Sequence, residues 1–129
     1  MSISSIRKRI LIIDDEDDIR EVTEACLRTL GQMDVLAAAS SQEGLKMAER
    51  EQPDAILLDV MLPDMDGTVV FKHLQANPRT CAIPVILLTA KVQASDRQRF
   101  HELGMQFFIA KPFDPMTLVE QIKIALGWD

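Results

Sequence analysis

The sequence predicts an α/β fold, a doubly wound parallel sheet of five strands with helices on both faces. Short apolar runs rich in Ile, Val and Leu alternate with segments of helical periodicity from one end of the chain to the other. The links are short, and such apolar runs suit parallel strands that are buried on both faces. With 129 residues, 47% hydrophobic and 26% charged, the chain has the size of one globular domain.

Each strand is predicted from an apolar run that polar or turn residues bound. The predicted strands are Arg9–Asp14, Asp34–Ala38, Ala55–Asp59, Ile83–Leu88 and Gln106–Ala110. The second run is the weakest, and the fourth strand is entered through Pro84. Strict alternation with helices implies right-handed crossovers between parallel strands.

Each helix is predicted from apolar periodicity between a start signal and a stop signal. The predicted helices run from the acidic cap Asp15–Asp18 to Leu30, from just after Ser41 to Gln52-Pro53, from the turn at Asp66-Gly67 to Asn77-Pro78, from about Gln93 to Leu103 and from Asp114 to Leu126. The inward residues of the later helices are predicted to be Leu45, Ala48, Val70, Phe71, Leu74, Leu118, Ile122 and Ala125. On the first helix, the predicted apolar face holds Ile19, Val22, Cys26 and Leu30, with Cys26 as a small buried thiol.

Charge and composition exclude several classes of protein. A net charge of −6 argues against a protein whose main task is to grip nucleic acid by its phosphates, and no direct nucleic-acid contact is expected. No apolar run approaches the roughly 20 residues that span a bilayer, so no membrane partner is expected. At the N-terminus, five acidic residues at 14–18 directly follow a short apolar run, and this pattern favours a strand over a signal peptide. We therefore expect a cytoplasmic protein.

Polar residues stand at the ends of four predicted strands. They are Asp14, Asp15, Asp59, Thr89 and Lys111. Ligands of open α/β sheets bind at the carboxyl ends of parallel strands, so these side chains are expected to meet at one rim. Three carboxylates together are unfavourable unless a cation intervenes, and hard oxygen ligands suit Mg²⁺ or Mn²⁺. A carboxylate, a divalent metal and a lysine are what phosphorylation of a carboxyl group requires.

These residues resemble a known family, the receiver domains of bacterial two-component response regulators. Four motifs carry the resemblance: residues 10–17, Leu58–Pro63 with Asp66-Gly67, Leu88-Thr89-Ala90, and Lys111-Pro112-Phe113. They cover essentially the whole chain in the family's order and at its spacings. The resemblance implies a flavodoxin-like fold with strand order 2-1-3-4-5 and a cis Lys111-Pro112 bond.

The resemblance also implies a role for each site residue. Asp59 would accept a phosphoryl group from a sensor histidine kinase or a histidine phosphotransfer protein. Asp15, Asp59 and the backbone carbonyl of Met61 would bind Mg²⁺ directly, and Asp14 would act mainly through water. Lys111 would contact the phosphoryl group, and Thr89 would hydrogen-bond to it. The chain would catalyse only its own phosphorylation and dephosphorylation and would otherwise not be an enzyme.

The resemblance also points to residues that would change conformation on phosphorylation and to residues that would set the lifetime of the phosphorylated form. In the family an aromatic residue, here Phe108, moves with the threonine, and the positions two after the phosphoacceptor and two after the threonine, here Met61 and Lys91, tune the site. We hypothesise that bulky Met61 hinders the hydrolytic water. The output surface would be the fourth helix, fifth strand and fifth helix, with Arg97, Arg99, His101 and Met105 on it or beside it. Its downstream protein partner is unknown, and a phosphorylation-dependent homodimer is one expectation.

The domain prediction is a single receiver domain over residues 1–129, with its core at about 8–127 and no output domain. Three alternatives stand beside it. A pseudo-receiver would use the same fold as a binding module without phosphorylation. Asp64–Thr68 spells the DxDGT signature of haloacid dehalogenase-type phosphatases, but Leu62-Pro63 separate it from the strand. A flavodoxin-type FMN carrier would need a hydroxyl- and glycine-rich loop where this chain has five acidic residues.

Overall fold

A computed structural model describes residues 7–90, 94–105 and 107–128, and within them five parallel strands form one sheet in the order β2-β1-β3-β4-β5. The strands are β1 (Arg9–Ile13), β2 (Asp34–Ala38), β3 (Ala55–Asp59), β4 (Val85–Thr89) and β5 (Phe107–Ala110). The helices are α1 (Asp17–Thr29), α2 (Ser41–Glu51), α3 (Gly67–Ala76), α4 (Ala94–Glu102) and α5 (Pro115–Leu126). The predicted fold class and the strand order that the resemblance implied are confirmed.

Alternate residues of the central strands enter two separate hydrophobic cores. Leu11 and Ile13 of β1 pack into the core beneath α2, α3 and α4, while Ile10 and Ile12 pack into the core beneath α1 and α5. All four side chains are 0% exposed. A strand buried on both faces needs apolar residues at every position, which explains why its sequence is a continuous run and not an alternation.

Polar caps begin three of the helices. Ser40 is the N-cap of α2, where its hydroxyl accepts a hydrogen bond from the Glu43 N–H at 3.3 Å, and the Glu43 carboxylate accepts one from the Ala39 N–H at 2.9 Å. Asp66 caps α3 and Asp114 caps α5 in the same manner. The second helix therefore begins at Ser41 itself, one residue earlier than predicted, because Ser40 supplies the cap.

Two strands have described bounds that differ from the prediction, whereas Gln106 and Gln93, the predicted starts of the fifth strand and the fourth helix, lie outside the described residues. β1 ends at Ile13, so Asp14 follows the strand instead of ending it. β4 covers Val85–Thr89 because the Ile83 N–H turns back to the Thr80 carbonyl at 3.0 Å and leaves the ladder. At its other end, Thr89 stays in the ladder because its carbonyl accepts from the Lys111 N–H at 2.9 Å.

The buried face of α1 is rotated by part of a turn from the predicted one, so the predicted set of buried residues was wrong. Val22 and Leu30 are 47% and 50% exposed, and Cys26 is only partly buried. The buried residues are Thr23 and Leu27. Thr23 was overlooked because it is polar, yet its hydroxyl donates to the Ile19 carbonyl at 2.6 Å, which satisfies the hydroxyl inside the helix.

The described part of the fourth helix, residues 96–102, is joined to the core through one aromatic side chain. Among the described side chains of α4, at residues 96–102, only Phe100 is buried, at 0% exposure, while Arg97, Arg99 and His101 are exposed. Met105 is 1% exposed, so its predicted place on the output surface was wrong. It packs with Phe100 in the core. No helix among the described residues is both long and apolar enough to cross a membrane.

Candidate active site

The strand ends bring the predicted residues to one edge of the sheet. Asp14 follows β1, Asp59 ends β3, Thr89 ends β4 and Lys111 follows β5. These four strands are neighbours in the sheet, with Ile13 aligned to Leu58 and Thr89 aligned to Ala110. The predicted convergence of these polar groups at the carboxyl ends is therefore observed.

Three carboxylates form the centre of the site. One oxygen each from Asp14, Asp15 and Asp59 lies within 4.8 Å of the others. Asp14 and Asp59 are 0% and 2% exposed, whereas Asp15 is the more accessible member of the three. Buried carboxylates this close repel one another in a medium of low polarity, and a cation relieves that repulsion.

Lys111 supplies one cation. Its Nζ lies 3.1 Å from Oδ2 of Asp59, 3.5 Å from Oδ2 of Asp14 and 3.4 Å from Oε1 of Glu16. The lysine side chain is 13% exposed, so water screens these pairs only weakly. The peptide bond between Lys111 and Pro112 is cis, as the resemblance implied.

The pKa values reflect this crowding. Burial raises the pKa of the Asp59 carboxyl, and the nearby Lys111 ammonium only partly opposes that effect. Burial lowers the pKa of the Lys111 ammonium, but the charges of Asp59, Asp14 and Glu16 outweigh it, so that pKa is raised overall. Asp59 is therefore a destabilised carboxylate next to a firmly protonated lysine, a suitable pair for a nucleophile and a group that stabilises phosphoryl oxygens.

The predicted metal ligands fit a small divalent cation. The cluster offers carboxylate oxygens alone, which are the ligands that Mg²⁺ and Mn²⁺ prefer. The Met61 N–H donates to Oδ1 of Asp59 at 3.2 Å, so the backbone of Met61 runs beside this carboxylate. Asp15, Asp59 and the Met61 carbonyl would bind the ion directly, and Asp14 would act mainly through water, as the resemblance implies.

A cleft of about 240 Å³ opens beside these groups. It is lined by Glu16, Asp59, Val60, Met61, Thr89, Ala90 and Lys111. Met61 is 67% exposed and lines the same cleft as Asp59. This position agrees with the hypothesis that Met61 obstructs a hydrolytic water, although the rate of hydrolysis stays a prediction.

The predicted switch residues occupy connected positions. Thr89 is 2% exposed in the cleft, and Phe108 is half-buried two strand residues before Ala110. The ring of Phe108 lies 5.8 Å from that of Phe100, centroid to centroid, at an interplanar angle of 30°. Through this contact, a movement of the Phe108 side chain on β5 would act directly on Phe100 of α4. Lys91, the second predicted tuning residue, lies outside the described residues.

Gly67 lets α3 approach the backbone of Asp59 and Val60 closely. A Cβ at this position would lie 2.6 Å from the carbonyl oxygen of Asp59 and 2.8 Å from Cα of Val60. The Gly67 N–H donates to the Val60 carbonyl at 2.8 Å. The glycine is therefore needed because the backbone of Asp59 and Val60 passes where any side chain would stand.

The phosphatase-like motif has a structural role here. The carboxylate of Asp64 accepts hydrogen bonds from the N–H groups of Ser41 and Gln42, at 3.1 and 3.3 Å, so it caps α2 from a distant loop. The bond from the Ser41 N–H lowers the pKa of Asp64. Asp66 caps α3. Neither residue stands at the end of a strand, which is where a phosphatase of that class needs its first aspartate.

Sequence reasoning missed two features beside the site. Glu16 was included only in the acidic cap, yet it makes no side-chain cap bond and pairs with Lys111. An apolar groove of about 470 Å³ adjoins the cleft between α1 and the segment after β5. Its lining residues are Glu16, Asp18, Ile19, Val22, Ala90, Lys111, Pro112, Phe113 and Pro115. Val22 was assigned to the buried face of α1, so the sequence carried no separate signal for this groove.

The sequence model of one protein family, the response regulator receiver domain, matches residues 10–123, and the chain belongs to that family. One relative is the alkaline phosphatase synthesis transcriptional regulatory protein PhoP of Bacillus subtilis (strain 168), 39% identical over 121 residues. That match covers 94% of this chain and 49% of the relative. The chain thus spans about half the length of the curated relatives that it matches.

Solved structures agree with this family. A CheY-like response regulator receiver domain protein from Methanospirillum hungatei JF-1 has 32% identity and a TM-score of 0.81, with 95% of each chain covered. The receiver domain of a sensor histidine kinase from Pseudomonas aeruginosa PAO1 has 33% identity and a TM-score of 0.82, with 95% of this chain and 99% of that chain covered. It was solved with magnesium in its active-site cleft. Because several curated relatives are transcriptional regulators, the expectation of no direct nucleic-acid contact has no support from them.

Proposed function

We propose that this receiver domain is a phosphorylation switch in which Asp59 accepts a phosphoryl group from a phosphohistidine. The observation that carries the proposal is the Lys111 ammonium, 3.1 Å from Asp59 and within a cluster of carboxylates. An ammonium next to a nucleophilic carboxylate can bind the oxygens of an incoming phosphoryl group. A lysine kept only for stability would not need two buried aspartates beside it.

In the proposed reaction, an oxygen of Asp59 attacks phosphorus as the phosphorus–nitrogen bond to the donor imidazole breaks. The imidazole leaves with the bonding electrons and takes up a proton from solvent. Lys111 shifts from the carboxylates to the phosphoryl oxygens, and the Thr89 hydroxyl hydrogen-bonds to another of them. A bound divalent cation would neutralise charge on the same oxygens. Water then attacks the phosphorus, the bond from phosphorus to the Asp59 oxygen breaks, and inorganic phosphate leaves while Asp59 returns to a carboxylate. The domain thus acts only on itself and turns over no separate substrate.

The donor is a sensor histidine kinase or a histidine phosphotransfer protein. The apolar groove beside α1 is continuous with the cleft, since Glu16, Ala90 and Lys111 line both. Exposed Val22 in this groove suits contact with an apolar helix face. Placement in the cytoplasm, where such kinases present their histidines, follows from this partner.

The output is a shift between two conformers of the surface formed by α4, β5 and α5. Thr89 and Phe108 would move together, and Phe108 would reposition α4 through Phe100. Because Phe108 lacks a hydroxyl, this surface would read the switch by packing alone. The downstream protein would bind here, as would a second phosphorylated copy of the chain.

The test is intact mass after incubation with acetyl phosphate and Mg²⁺. One phosphoryl adduct is expected in the unaltered protein and in Asp64→Asn, and none in Asp59→Asn. Absence of any adduct with acetyl phosphate and with every candidate phosphohistidine donor would favour the pseudo-receiver. An adduct that survives in Asp59→Asn but disappears in Asp64→Asn would point instead to phosphatase-like chemistry.

A further inference from the structure

Arg20 of α1 reaches back to the acidic loop that follows β1. Its Nη1 donates to the backbone carbonyl of Asp14 at 2.9 Å, and its Nη2 donates to Oδ1 of Asp17 at 2.5 Å. The arginine side chain is only 17% exposed. The bond to Asp17 raises the pKa of Arg20, which therefore stays charged. Neither the family resemblance nor the proposed reaction assigns a task to this residue.

The bond from Arg20 completes a set of contacts that fixes Asp14. The Asp14 N–H donates to the Ala38 carbonyl at 3.1 Å, and its Oδ1 accepts from the Glu16 N–H at 2.9 Å. Its Oδ2 faces Lys111 at 3.5 Å. The Asp14 carbonyl, which Arg20 holds, belongs to the peptide that joins Asp14 to Asp15. The orientation of this peptide sets the direction in which the Asp15 carboxylate leaves the backbone.

We propose that Arg20 is a positioning residue for the divalent cation and holds the Asp14–Asp15 peptide so that the Asp15 carboxylate faces Asp59. The inference rests on the proposed function, because it assumes that Asp15 is a metal ligand. Only geometry can give Arg20 this role, since its positive charge alone would repel a cation. The planar guanidinium donates to two acceptors in fixed directions, which the single ammonium of a lysine does not reproduce.

The test is Mn²⁺ affinity of the full chain, measured as free Mn²⁺ by electron paramagnetic resonance. Arg20→Lys keeps the charge and loses the paired geometry, so the dissociation constant should rise about three- to tenfold, the factor expected for one hydrogen bond. Arg20→Gln removes the charge, so a purely electrostatic role predicts tighter binding and a positioning role predicts weaker binding. The phosphorylation rate of both variants should recover at saturating Mg²⁺.

Arg28 offers a matched control on the same helix. It also pairs with an acidic neighbour, Glu24 at 3.2 Å, and also donates to a strand carbonyl, that of Val35 at 3.2 Å. Arg28→Lys should leave Mn²⁺ affinity unchanged. Equal or tighter Mn²⁺ binding in Arg20→Lys and Arg20→Gln would overturn the proposal, as would an absence of Mn²⁺ binding to the unaltered protein. Weaker binding in these variants without any phosphoryl adduct on Asp59 would uphold the role of Arg20 and reject the proposed function.

Discussion

The ammonium of Lys111 and the carboxylate of Asp59 lie 3.1 Å apart, and the same ammonium is the shared partner of Asp14 and Glu16. One positive charge thus faces several negative ones in a largely buried space. Burial raises the pKa of Asp59 in spite of Lys111. Such crowding does not serve the stability of the resting fold, and the divalent cation of the proposed function would relieve it.

Asp59→Asn is therefore expected to stabilise the metal-free protein at pH 7, because it removes a buried charge that Lys111 only partly compensates. The gain should be about 1 kcal/mol, or roughly 4 °C in Tm. Since the pKa of Asp59 is raised in the folded state, ionisation of this carboxyl lowers stability as pH rises. The difference between variant and unaltered protein should thus shrink as pH falls from 7 toward the ordinary carboxyl value of 3.8.

Asp64→Asn is the control for this measurement, since it makes the same chemical change with the opposite expected sign. Hydrogen bonds from Ser41 and Gln42 lower the pKa of Asp64, so its ionised form stabilises the fold above 3.8 and this contribution is lost as pH falls. Asp64→Asn should lower Tm at pH 7. A higher Tm for both variants would mean that net charge, and not the site, decides the result.

Gly67→Ala is expected to lower the free energy of unfolding by roughly 2 kcal/mol, because the new methyl group meets backbone atoms of Asp59 and Val60 at less than 3.0 Å. Urea denaturation followed by fluorescence of Trp128, the single tryptophan, would measure it. Lys72→Ala, at an exposed position of the same helix, should change stability by less than about 0.5 kcal/mol. Equal stability of the two variants would show that α3 can move away from Asp59 at no cost in stability.

Met61→Asn is expected to shorten the lifetime of the phosphorylated form about three- to tenfold, a barrier change of about 1 kcal/mol. The smaller polar side chain opens the mouth of the cleft to water. Loss of the phosphoryl adduct over time, followed by intact mass, measures this lifetime. Met116→Asn makes the same change at a position 71% exposed on α5, away from the cleft, and should leave the lifetime unchanged.

Val22→Glu is expected to slow phosphotransfer from a cognate histidine kinase about tenfold, because it places a charge in the apolar groove beside the cleft. Phosphorylation by acetyl phosphate, which needs no docking surface, should be little affected. Leu30→Glu introduces the same residue at a site 50% exposed at the end of α1 and outside the groove. Similar losses in the two variants would place the docking surface elsewhere.

The sequence was sufficient for the arrangement of the site, because each functional residue directly follows or ends a buried apolar run. Asp59 and Lys111 could be assigned to one edge before any distance was known, since parallel strands place their carboxyl ends together. The strand ends were less exact. Ile83 is as apolar as its neighbours, and only its hydrogen bond to Thr80 removes it from β4.

Contacts between distant segments could not be predicted in this way. Asp64 caps a helix 23 residues before it, and no local pattern shows that its loop passes the start of α2. The inward face of α1 was misassigned because Thr23 satisfies its hydroxyl within the helix and packs as an apolar residue would. Met105 was placed at the surface because a single apolar residue beside a loop carries no periodicity.

The attachment of α4 through Phe100 has an energetic consequence. Burial of one phenylalanine stabilises a contact by about 1.5–3 kcal/mol, and one or two charge-assisted hydrogen bonds to a new phosphoryl group supply a similar amount. A helix fixed by several such residues would not respond to a signal of that size. A helix with no buried residue would be displaced without any signal. Among the described side chains of α4, the burial of Phe100 alone therefore gives an attachment of about the strength that the proposed phosphorylation could release.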